Sequence, residues 1–543
     1  MISTAELWYK HAVVYSLDVE TFRDSDGDGV GDFVGLGSRL DYLSNLGVTC
    51  LWLLPFYPSP NRDNGYDVTD YYAVDPRLGT LGDFVDFMRA ARERGIRVLI
   101  DLVVNHTSDQ HPWFQAARAD PHSKYRDYYV WAEERPANWR EGVVFPGVQE
   151  GVWSYDERAK MWYMHRFYHH QPDLNLASPG VRDEIRKIVA FWLELGVSGF
   201  RVDAAPFLIE FAPDAAAGYA LLRDMRAAAS WRRGDAVLLA EANVEAAEIP
   251  HYFGDEGDVF HMLFGFLANQ HLFLALARGD ATPLADTLRA LPTAPPTGQW
   301  ATFLRNHDEL DLGRLSDAER GEAFSAFAPE ERMRLYDRGV RRRLAPMLGG
   351  DRRRLELAYS IMLALPGTPV LRYGDEIGMG DDLSLPERES VRTPMQWSDT
   401  ANAGFSTAPA DRLVRPVIRG GEYGYERVNV DRARSDAGSL LSWMQRAVRA
   451  RRECVEIGAG RWEVLDAGDP AVLALRYEWP GRTLVVAHNL SDRPVTASLA
   501  LDGDGARPAD VHADREYPPA APGASRIELD ACGYRWLRLS HRG

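Results

Sequence analysis

The sequence predicts a (β/α)8 barrel that carries a small domain inserted after its third strand and is followed by an antiparallel β-sandwich. Three observations predict this fold. Eight short apolar runs alternate with helical patterns, one long aromatic-rich segment interrupts the alternation, and the C-terminal part has strand patterns without helices between them. We therefore divide the chain into a catalytic barrel (1–106 and 179–457), an inserted domain (107–178) and a C-terminal domain (458–543).

The eight barrel strands are predicted from short apolar runs that end in polar residues, which is typical of strands buried on both faces. They lie at Ala12–Ser16, Thr49–Leu53, Arg97–Asp101, Gly199–Asp203, Ala236–Glu241, Asp258–Met262, Trp300–Leu304 and Pro369–Tyr373. Stretches with helical spacing separate them. A doubly wound open sheet is the alternative, but the glycine-rich phosphate-binding turn that it needs after its first strand is missing from the sequence.

Two connections between the predicted strands are unusually long. Residues 107–178 form a segment of 72 residues with 14 aromatic side chains, which is too long and too apolar for a simple loop. We interpret this segment as a domain on the catalytic face of the barrel. Residues from about 311 to 354 are rich in Arg and Glu at helical spacing and are predicted to be a helical insertion, whose Arg triplets form ion pairs or, alternatively, an anion site.

The C-terminal domain is predicted from a change of pattern after the amphipathic helix Ser439–Arg452. Four strand patterns follow with turn residues between them and no intervening helix, which is typical of an antiparallel sandwich. These patterns lie at Trp462–Leu465, Val472–Tyr477, Leu484–Ala487 and Tyr534–Leu539.

Composition excludes several classes of partner. The 62 basic and 79 acidic residues give a formal charge of −17 over 543 residues, and this sign disfavours nucleic acid and anionic membrane surfaces. The first residues lack the pattern of a signal peptide, and the apolar runs are shorter than the ~20 residues that span a bilayer. Cys50, Cys454 and Cys532 are widely spaced, so we expect no disulfide framework and a cytoplasmic location. These features are compatible with a homo-oligomer.

Carboxylates follow several of the predicted strands at the ends where barrel enzymes carry their active sites. Asp203 follows the fourth strand, Glu241 the fifth and Asp308 the seventh. Two carboxylates on adjacent strands suit retaining glycoside transfer, which needs a nucleophile and an acid/base about 5–5.5 Å apart. We expect Arg201 to lower the pKa of Asp203, and the apolar run before Glu241 to raise the pKa of Glu241.

The chain resembles the α-amylase superfamily (glycoside hydrolase family 13) over nearly its whole length. The resemblance rests on four signature regions, at Asp101–His106, Gly199–Asp203, Glu241–Asn243 and Arg305–Asp308. It implies that Asp203 is the nucleophile, Glu241 the acid/base and Asp308 the transition-state stabiliser. It also implies a set of substrate-binding residues: Tyr66, Asp67, His106, Gln171, Arg201, His307 and Arg392. Within this set, Arg392 is expected to pair with Asp67 and to close the glucose pocket.

Narrower motifs are similar to the α-glucosidase and trehalose synthase branch of this superfamily. They include Gln171–Asn175, Arg392–Trp397 and Leu51–Pro60. The resemblance implies the isomerisation of maltose to trehalose through a covalent glucosyl-enzyme. The alternatives are an α-glucosidase-type hydrolase or a transglucosylase acting on maltose, sucrose or trehalose, and a catalytically silent binding protein, which would not need the full carboxylate set.

One departure from trehalose synthases concerns the aglycone side of the pocket. The loop after the fourth strand, starting at Phe207, is shorter than is usual among them. Isomerisation requires the released sugar to be held while water is kept out. We therefore expect the aromatic residues of the inserted domain to supply the missing wall, namely Trp113, Phe114, Phe145 and Trp153.

An acidic loop after the first strand predicts a structural Ca²⁺ site. Its ligands are expected to be oxygens of Asp24, Asp26, Asp28 and Asp32 with the carbonyl of Val30, in a spacing close to that of calcium loops. The position of the last EF-hand ligand holds Gly35, so this is a shorter loop like those in the superfamily. A metal-free acidic turn is the alternative. The resemblance also implies a second, weaker site at Asn105 and Asp173.

Overall fold

Eight parallel strands close into a barrel in their chain order, as predicted. The structure is a computed structural model that describes residues 7–499, 501, 507–519 and 526–540. The barrel strands are Val14–Leu17, Cys50–Leu53, Arg97–Leu102, Gly199–Val202, Val237–Ala240, Met262–Phe264, Gln299–Phe303 and Thr368–Arg372. The first strand pairs with both the second and the eighth, which closes the ring.

Helices surround this barrel because each connecting segment has an apolar face that must be buried against the strands. The helix Leu81–Glu93, for example, buries Phe84, Phe87 and Met88 and begins with a capping box at Thr80. The helices of the described chain are Val19–Phe22, Phe33–Gly37, Leu40–Leu46, Leu81–Glu93, Pro112–Ala119, Pro179–Glu194, Ala215–Arg232, Ile249–Phe253, Phe266–Arg278, Thr282–Ala290, Asp317–Phe327, Leu344–Met347, Arg352–Ala364, Val430–Ser435, Leu440–Glu453 and Val455–Ala459.

The sixth strand lies further along the chain than predicted. It spans Met262–Phe264 rather than Asp258–Met262. The backbone N–H groups of Val259 and Phe260 bond to the end of the preceding helix, at the carbonyls of Phe253 and Tyr252. These residues are therefore part of the helix-to-strand connection, although they are as apolar and as buried as strand residues.

The segment 107–178 contains a small antiparallel sheet and an aromatic core. Its strands are Trp131–Ala132, Trp153–Asp156 and Met161–Met164, with the last in the middle of the sheet. A bridge between Asp173 and His106, which follows the third barrel strand, connects this segment to the barrel, and a second bridge joins Tyr129 to Leu174 within the segment. The segment is thus attached at the catalytic end of the barrel.

The segment 311–354 is only partly helical. The predicted helical insertion contains the helix Asp317–Phe327. It also contributes to a three-stranded antiparallel sheet of Leu310–Asp311, Arg334–Leu335 and Gly339–Val340. The strands of this sheet are only two residues long, too short for a periodic pattern, so the sequence did not indicate them.

The C-terminal region is an antiparallel β-structure, as predicted. Five strands form one sheet, in the order Arg461–Leu465, Val472–Trp479, Arg482–Asn489, Tyr534–Ser540 and Arg507–Ala513. Val495–Ser498 and Arg526–Leu529 pair as a second sheet. Alternate side chains of the five-stranded sheet enter two different cores, one between the sheets and one against the barrel helices.

The remaining predictions about the chain concern membranes and disulfides. Among the described residues, no helix combines the length and apolarity needed to cross a membrane. Cys50, Cys454 and Cys532 are buried and unpaired, which agrees with the expectation of no disulfide framework.

We predict that Gly199→Ala strongly destabilises the protein. Gly199 begins the fourth strand at φ +145°, and an added Cβ would lie 1.9 Å from the carbonyl oxygen of Val237 on the fifth strand. We expect a loss of about 3 kcal/mol in unfolding free energy and a lower thermal midpoint. The control is Gly37→Ala, in the last turn of a helix with open space around the site, which should change stability by less than about 1 kcal/mol. Equal midpoints for the two variants would contradict the prediction.

Candidate active site

A single buried guanidinium holds three carboxylates together at the carboxyl end of the barrel. Arg201 lies on the fourth strand and pairs with Asp101 at 2.6 Å, with Asp203 at 2.5 Å and with Glu241 at 2.9 Å. These acids come from the third, fourth and fifth strands, and strand register places Asp101 directly beside Arg201. The structure thus brings the predicted nucleophile and acid/base onto one cation.

Burial dominates the protonation of Asp203. It raises the pKa of Asp203 to about 6, although Arg201 lowers it. The expectation that Arg201 would leave Asp203 with a depressed pKa was therefore wrong. The reason is that the carboxyl is almost fully removed from water and shares Arg201 with two other acids.

Glu241 has the properties expected of a general acid near neutral pH. Burial raises its pKa to about 7, and the nearby charges of Asp203 and Asp308 add to this effect. The backbone N–H of Ala204 donates to its Oε2 at 3.0 Å. About 25% of its side chain remains exposed, on the side of the cavity that it lines. A proton at Glu241 is therefore accessible from the cavity.

Asp308 is held as a permanent anion. Burial would raise its pKa, but Arg388 at 3.2 Å, His307 at 3.2 Å and Arg392 at 2.9 Å together keep the pKa well below its usual range. Burial lowers the pKa of His307, so the imidazole is neutral. Its Nε2 lies 2.7 Å from the hydroxyl of Tyr66, and the two rings stack at 5.5 Å.

The predicted pairing of Arg392 with Asp67 was wrong. Arg392 pairs with Asp308 and donates from Nε to the backbone carbonyl of His307. Asp67 is fully buried and accepts hydrogen bonds from Ser59 Oγ at 2.8 Å and from the backbone N–H of Asp63 at 3.2 Å. Asp67 therefore shapes the loop 59–67 and does not face the cavity.

Asp63 is a carboxylate of the catalytic cavity that sequence analysis missed. It lines the same cavity as Tyr66, Asp203 and Glu241, and burial raises its pKa to about 6. Gln171 Nε2 donates to its Oδ2 at 2.8 Å. Asp63 lies four residues before Asp67 in the same motif, and only the turn between them decides which carboxylate points inward.

The predicted residues divide into those that line the catalytic cavity and those behind it. Tyr66, His106, Asp203, Glu241, His307 and Asp308 line it. The other predicted residues lie outside the lining and contact residues that belong to it: Asp67, Gln171, Arg201 and Arg392. Among the lining residues, His106 donates from Nε2 to the carbonyl oxygen of Tyr66 at 3.1 Å. Arg388, Phe145 and Phe167 also line the cavity and were not predicted as substrate-binding residues.

A larger cavity of about 730 Å³ adjoins the catalytic carboxylates on the side of Glu241 and Asp308. Of the four aromatic residues expected to form its wall, Phe145 contributes to the catalytic cavity. Trp113 packs against Tyr71, His111, Tyr125 and Tyr128 instead. Phe114 is buried against Tyr129 and Trp131, and Trp153 lies in the small sheet. Phe167 and Phe207 supply the aromatic surface in their place.

The acidic loop brings three of its predicted ligands together. Oxygens of Asp24, Asp26 and Asp28 lie within 4.8 Å of one another. Asp32 is used differently, because its oxygens accept from Ser25 and from the backbone N–H of Gly35, and so it caps the following helix. The N–H of Val30 donates to Asp28 Oδ1 at 2.8 Å.

At the weaker predicted site, Asn105 and Asp173 contact each other. The amide of Asn105 donates to Asp173 Oδ1 at 3.2 Å, and the backbone N–H of Arg166 donates to the same oxygen at 3.0 Å. Burial raises the pKa of Asp173 to about 7. These contacts form a hydrogen-bonded link between the barrel and the segment 107–178.

Comparison with known proteins agrees with this geometry. The family description "Alpha amylase, catalytic domain" matches residues 18–324 and 339–460. The chain belongs to the α-amylase family. It is therefore an enzyme of the α-amylase superfamily. A second family description, "Sucrose hydrolase-like, C-terminal domain", matches residues 481–538.

Individual relatives are similar over almost the entire chain. The trehalose synthase/amylase TreS of Mycolicibacterium smegmatis is 42% identical over 98% of this chain and 92% of its own length. The trehalose synthase of Pimelobacter sp. is 40% identical over 98% of this chain and 96% of its own. Among solved structures, an α-amylase from H. orenii has 29% identity and a TM-score of 0.79, covering 98% of this chain and all of the other.

We predict a narrow bell-shaped pH dependence of kcat/KM. In the roles that the resemblance implies, Asp203 must be ionised, so activity falls as the pH drops through its pKa of about 6. Glu241 must be protonated, so activity falls as the pH rises through about 7. With Glu241→Gln and an activated aryl glucoside, the alkaline limb should disappear. A flat profile between about pH 5 and 8 would contradict this assignment.

Proposed function

We propose that this enzyme isomerises maltose to trehalose with retention of the α-configuration. The observation that carries the proposal is the pair Asp203 and Glu241 held on Arg201, in a chain whose relatives named trehalose synthase match it along nearly its full length. Asp203 and Glu241 then act as nucleophile and acid/base, and Asp308 as the fixed anion that binds sugar hydroxyls.

The proposed reaction proceeds in two displacements. Asp203 attacks the anomeric carbon of the non-reducing glucose, forming an ester bond while the bond to the glycosidic oxygen breaks. Glu241 gives its proton to that oxygen, and glucose is released into the adjoining cavity. The released glucose turns and its anomeric hydroxyl attacks the anomeric carbon of the glucosyl-enzyme. The ester bond to Asp203 breaks as the new glycosidic bond forms, and Glu241 takes up the hydroxyl proton.

A hydrolase or a transglucosylase is the second candidate, and the size of the adjoining cavity favours it. Its volume of about 730 Å³ lies in the upper part of the range of roughly 300–1,000 Å³ that encloses drug-sized ligands. A single glucose leaves part of this space for water or for another acceptor. Sucrose is a further substrate to test, since a trehalulose synthase MutB variant that was solved with sucrose has 26% identity and a TM-score of 0.78.

Product analysis distinguishes these functions. Maltose, sucrose and trehalose are incubated separately with the enzyme, and sugars are identified by NMR from the first minutes, with labelled glucose added in parallel. We expect trehalose as the main product from maltose and little label in it. Asp203→Asn is the control and should lose activity by at least about 10³-fold while remaining folded. Free glucose as the dominant early product favours the hydrolase, and no trehalose at any time contradicts the isomerase.

We also propose that Ca²⁺ binds the loop at Asp24, Asp26 and Asp28 as a structural ion. Their converging carboxylate oxygens are hard ligands of the kind that Ca²⁺ prefers. Burial and the neighbouring carboxylates raise the pKa of Asp26, and a cation would offset this repulsion. The loop also contacts the segment 406–414, since Ser406 donates to Asp24 and Val414 N–H to the carbonyl of Gly29.

Removing this ion should lower stability and leave the chemistry intact. We expect a strong chelator to reduce the thermal midpoint, because a ligand that binds only the folded state stabilises it by mass action. Returning Ca²⁺ should restore the midpoint. Asp26→Asn with Asp28→Asn should abolish the response to chelator while retaining activity. A midpoint insensitive to chelator, with no metal in the purified protein, would reject the site.

We propose domain boundaries at 106/107, 178/179 and 457/458. Two matches support the last of these boundaries: that of the catalytic family reaches residue 460, and that of the C-terminal family starts at 481. The catalytic match omits residues 325–338, which lie within the insertion placed at about 311–354.

A further inference from the structure

An ion pair joins two separate segments at the wall of the larger cavity. Arg166 belongs to the segment 107–178, and Glu210 to the loop after the fourth strand. Nε of Arg166 donates to Glu210 Oε2 at 3.1 Å, and a second contact joins the other guanidinium nitrogen, NH2, to Oε1. NH1 donates to the carbonyl of Gly142 at 2.7 Å. Every guanidinium nitrogen is therefore engaged, and the side chain of Arg166 is only 7% exposed.

Two aromatic rings extend this contact. The guanidinium carbon of Arg166 lies 5.2 Å from the centre of the Phe207 ring. Phe207 meets Phe167 edge to face at 5.6 Å. We call Arg166, Glu210, Phe167 and Phe207 the clasp. All four line the larger cavity, together with Glu241 and Asp308.

The loop that carries Glu210 is short. It consists of a 3-10 helix, Ala205–Ile209, and a few residues before the helix that starts at Ala215. A segment with few contacts opens easily to solvent. A bidentate pair between a desolvated arginine and a carboxylate is among the stronger polar contacts in proteins, and breaking it leaves a buried charge unpaired. The clasp therefore holds this loop against the segment 107–178.

We propose that Arg166 is a positioning residue that determines how often water, rather than the retained sugar, captures the glucosyl-enzyme. By holding Glu210 and Phe207 in place it closes the aglycone side that the short loop would otherwise leave open. In each capture the ester bond to Asp203 breaks, the acceptor oxygen bonds to the anomeric carbon, and Glu241 takes the acceptor proton. Retained glucose gives trehalose, and water gives free glucose. The inference rests on the glucosyl-enzyme of the proposed function.

Three variants open the clasp in different ways. Arg166→Met removes the charge, Glu210→Gln keeps the size but weakens the pair, and Gly142→Ala acts sterically, because its Cβ would lie 2.1 Å from NH1 of Arg166. The matched control is Arg118→Met, which breaks a 2.6 Å ion pair with Asp156. That pair also lies in the segment 107–178, but Arg118 and Asp156 are not among the residues that line the cavity.

The measurement is the early ratio of free glucose to trehalose from maltose, with labelled external glucose in a second set. We expect this ratio and the label in the product to rise about three- to tenfold in the clasp variants, since water and external sugar gain access. The value of kcat/KM for the consumption of maltose should change much less than this ratio. Arg118→Met should keep the wild-type ratio. Thermal midpoints identify any variant that is unfolded.

Unchanged ratios in folded Glu210→Gln and Gly142→Ala would overturn the inference. A rise of the same size in Arg118→Met would also overturn it, because the effect would then be general destabilisation. If the wild-type enzyme forms no trehalose but transfers glucose to labelled acceptor, the proposed isomerase fails while the ratio of transfer to hydrolysis still tests the clasp. A wild-type enzyme that only hydrolyses contradicts both.

Discussion

The active site depends on one buried cation. Arg201 is the shared partner of Asp101, Asp203 and Glu241, three acids that would repel one another strongly in a cavity of low polarity. Trp52 donates to Asp101 at 2.9 Å and so fixes the far end of this cluster. Because Arg201 is divided among three carboxylates, none of them is fully neutralised. Burial raises the pKa values of Asp203 and Glu241, and the shared Arg201 lowers them only in part, which leaves them at about 6 and 7.

A second charge group sets the opposite character for Asp308. Its partners Arg388 and Arg392 are not shared with Asp203 or Glu241, so Asp308 stays ionised. The barrel thus carries carboxylates in two electrostatic environments. Asp203 and Glu241 have raised pKa values, whereas the pKa of Asp308 is held well below its usual range. Of the pair Asp203 and Glu241, Glu241 lines the larger cavity, whose walls come from segments outside the barrel strands.

Most of the fold and the convergence of Asp203, Glu241 and Asp308 on one cavity could be predicted from the sequence, and the exceptions have physical causes. The barrel strands were predictable because apolar runs bounded by polar residues mark buried parallel strands. The sixth was misplaced because Val259 and Phe260 are equally apolar but bond to a helix end. Asp67 was predicted and Asp63 was not, because the resemblance gives residue types, whereas the side-chain direction depends on the turn between the two residues. The pKa of Asp203 was misjudged because burial cannot be read from one neighbouring Arg.

The sequence by itself determined the barrel, the inserted segment, the C-terminal β-structure and the acids Asp203, Glu241 and Asp308, since these follow from local periodicity and from positions at strand ends. Only the tertiary structure decided which groups share a cation, which Asp of the loop 59–67 faces the substrate cavity, and how the short loop after the fourth strand is held. The first and the last of these features depend on contacts between residues far apart in the chain, whereas the second depends on the turn within the loop 59–67. Arg166 and Glu210, for example, meet across 44 positions, and neither local pattern indicates the other.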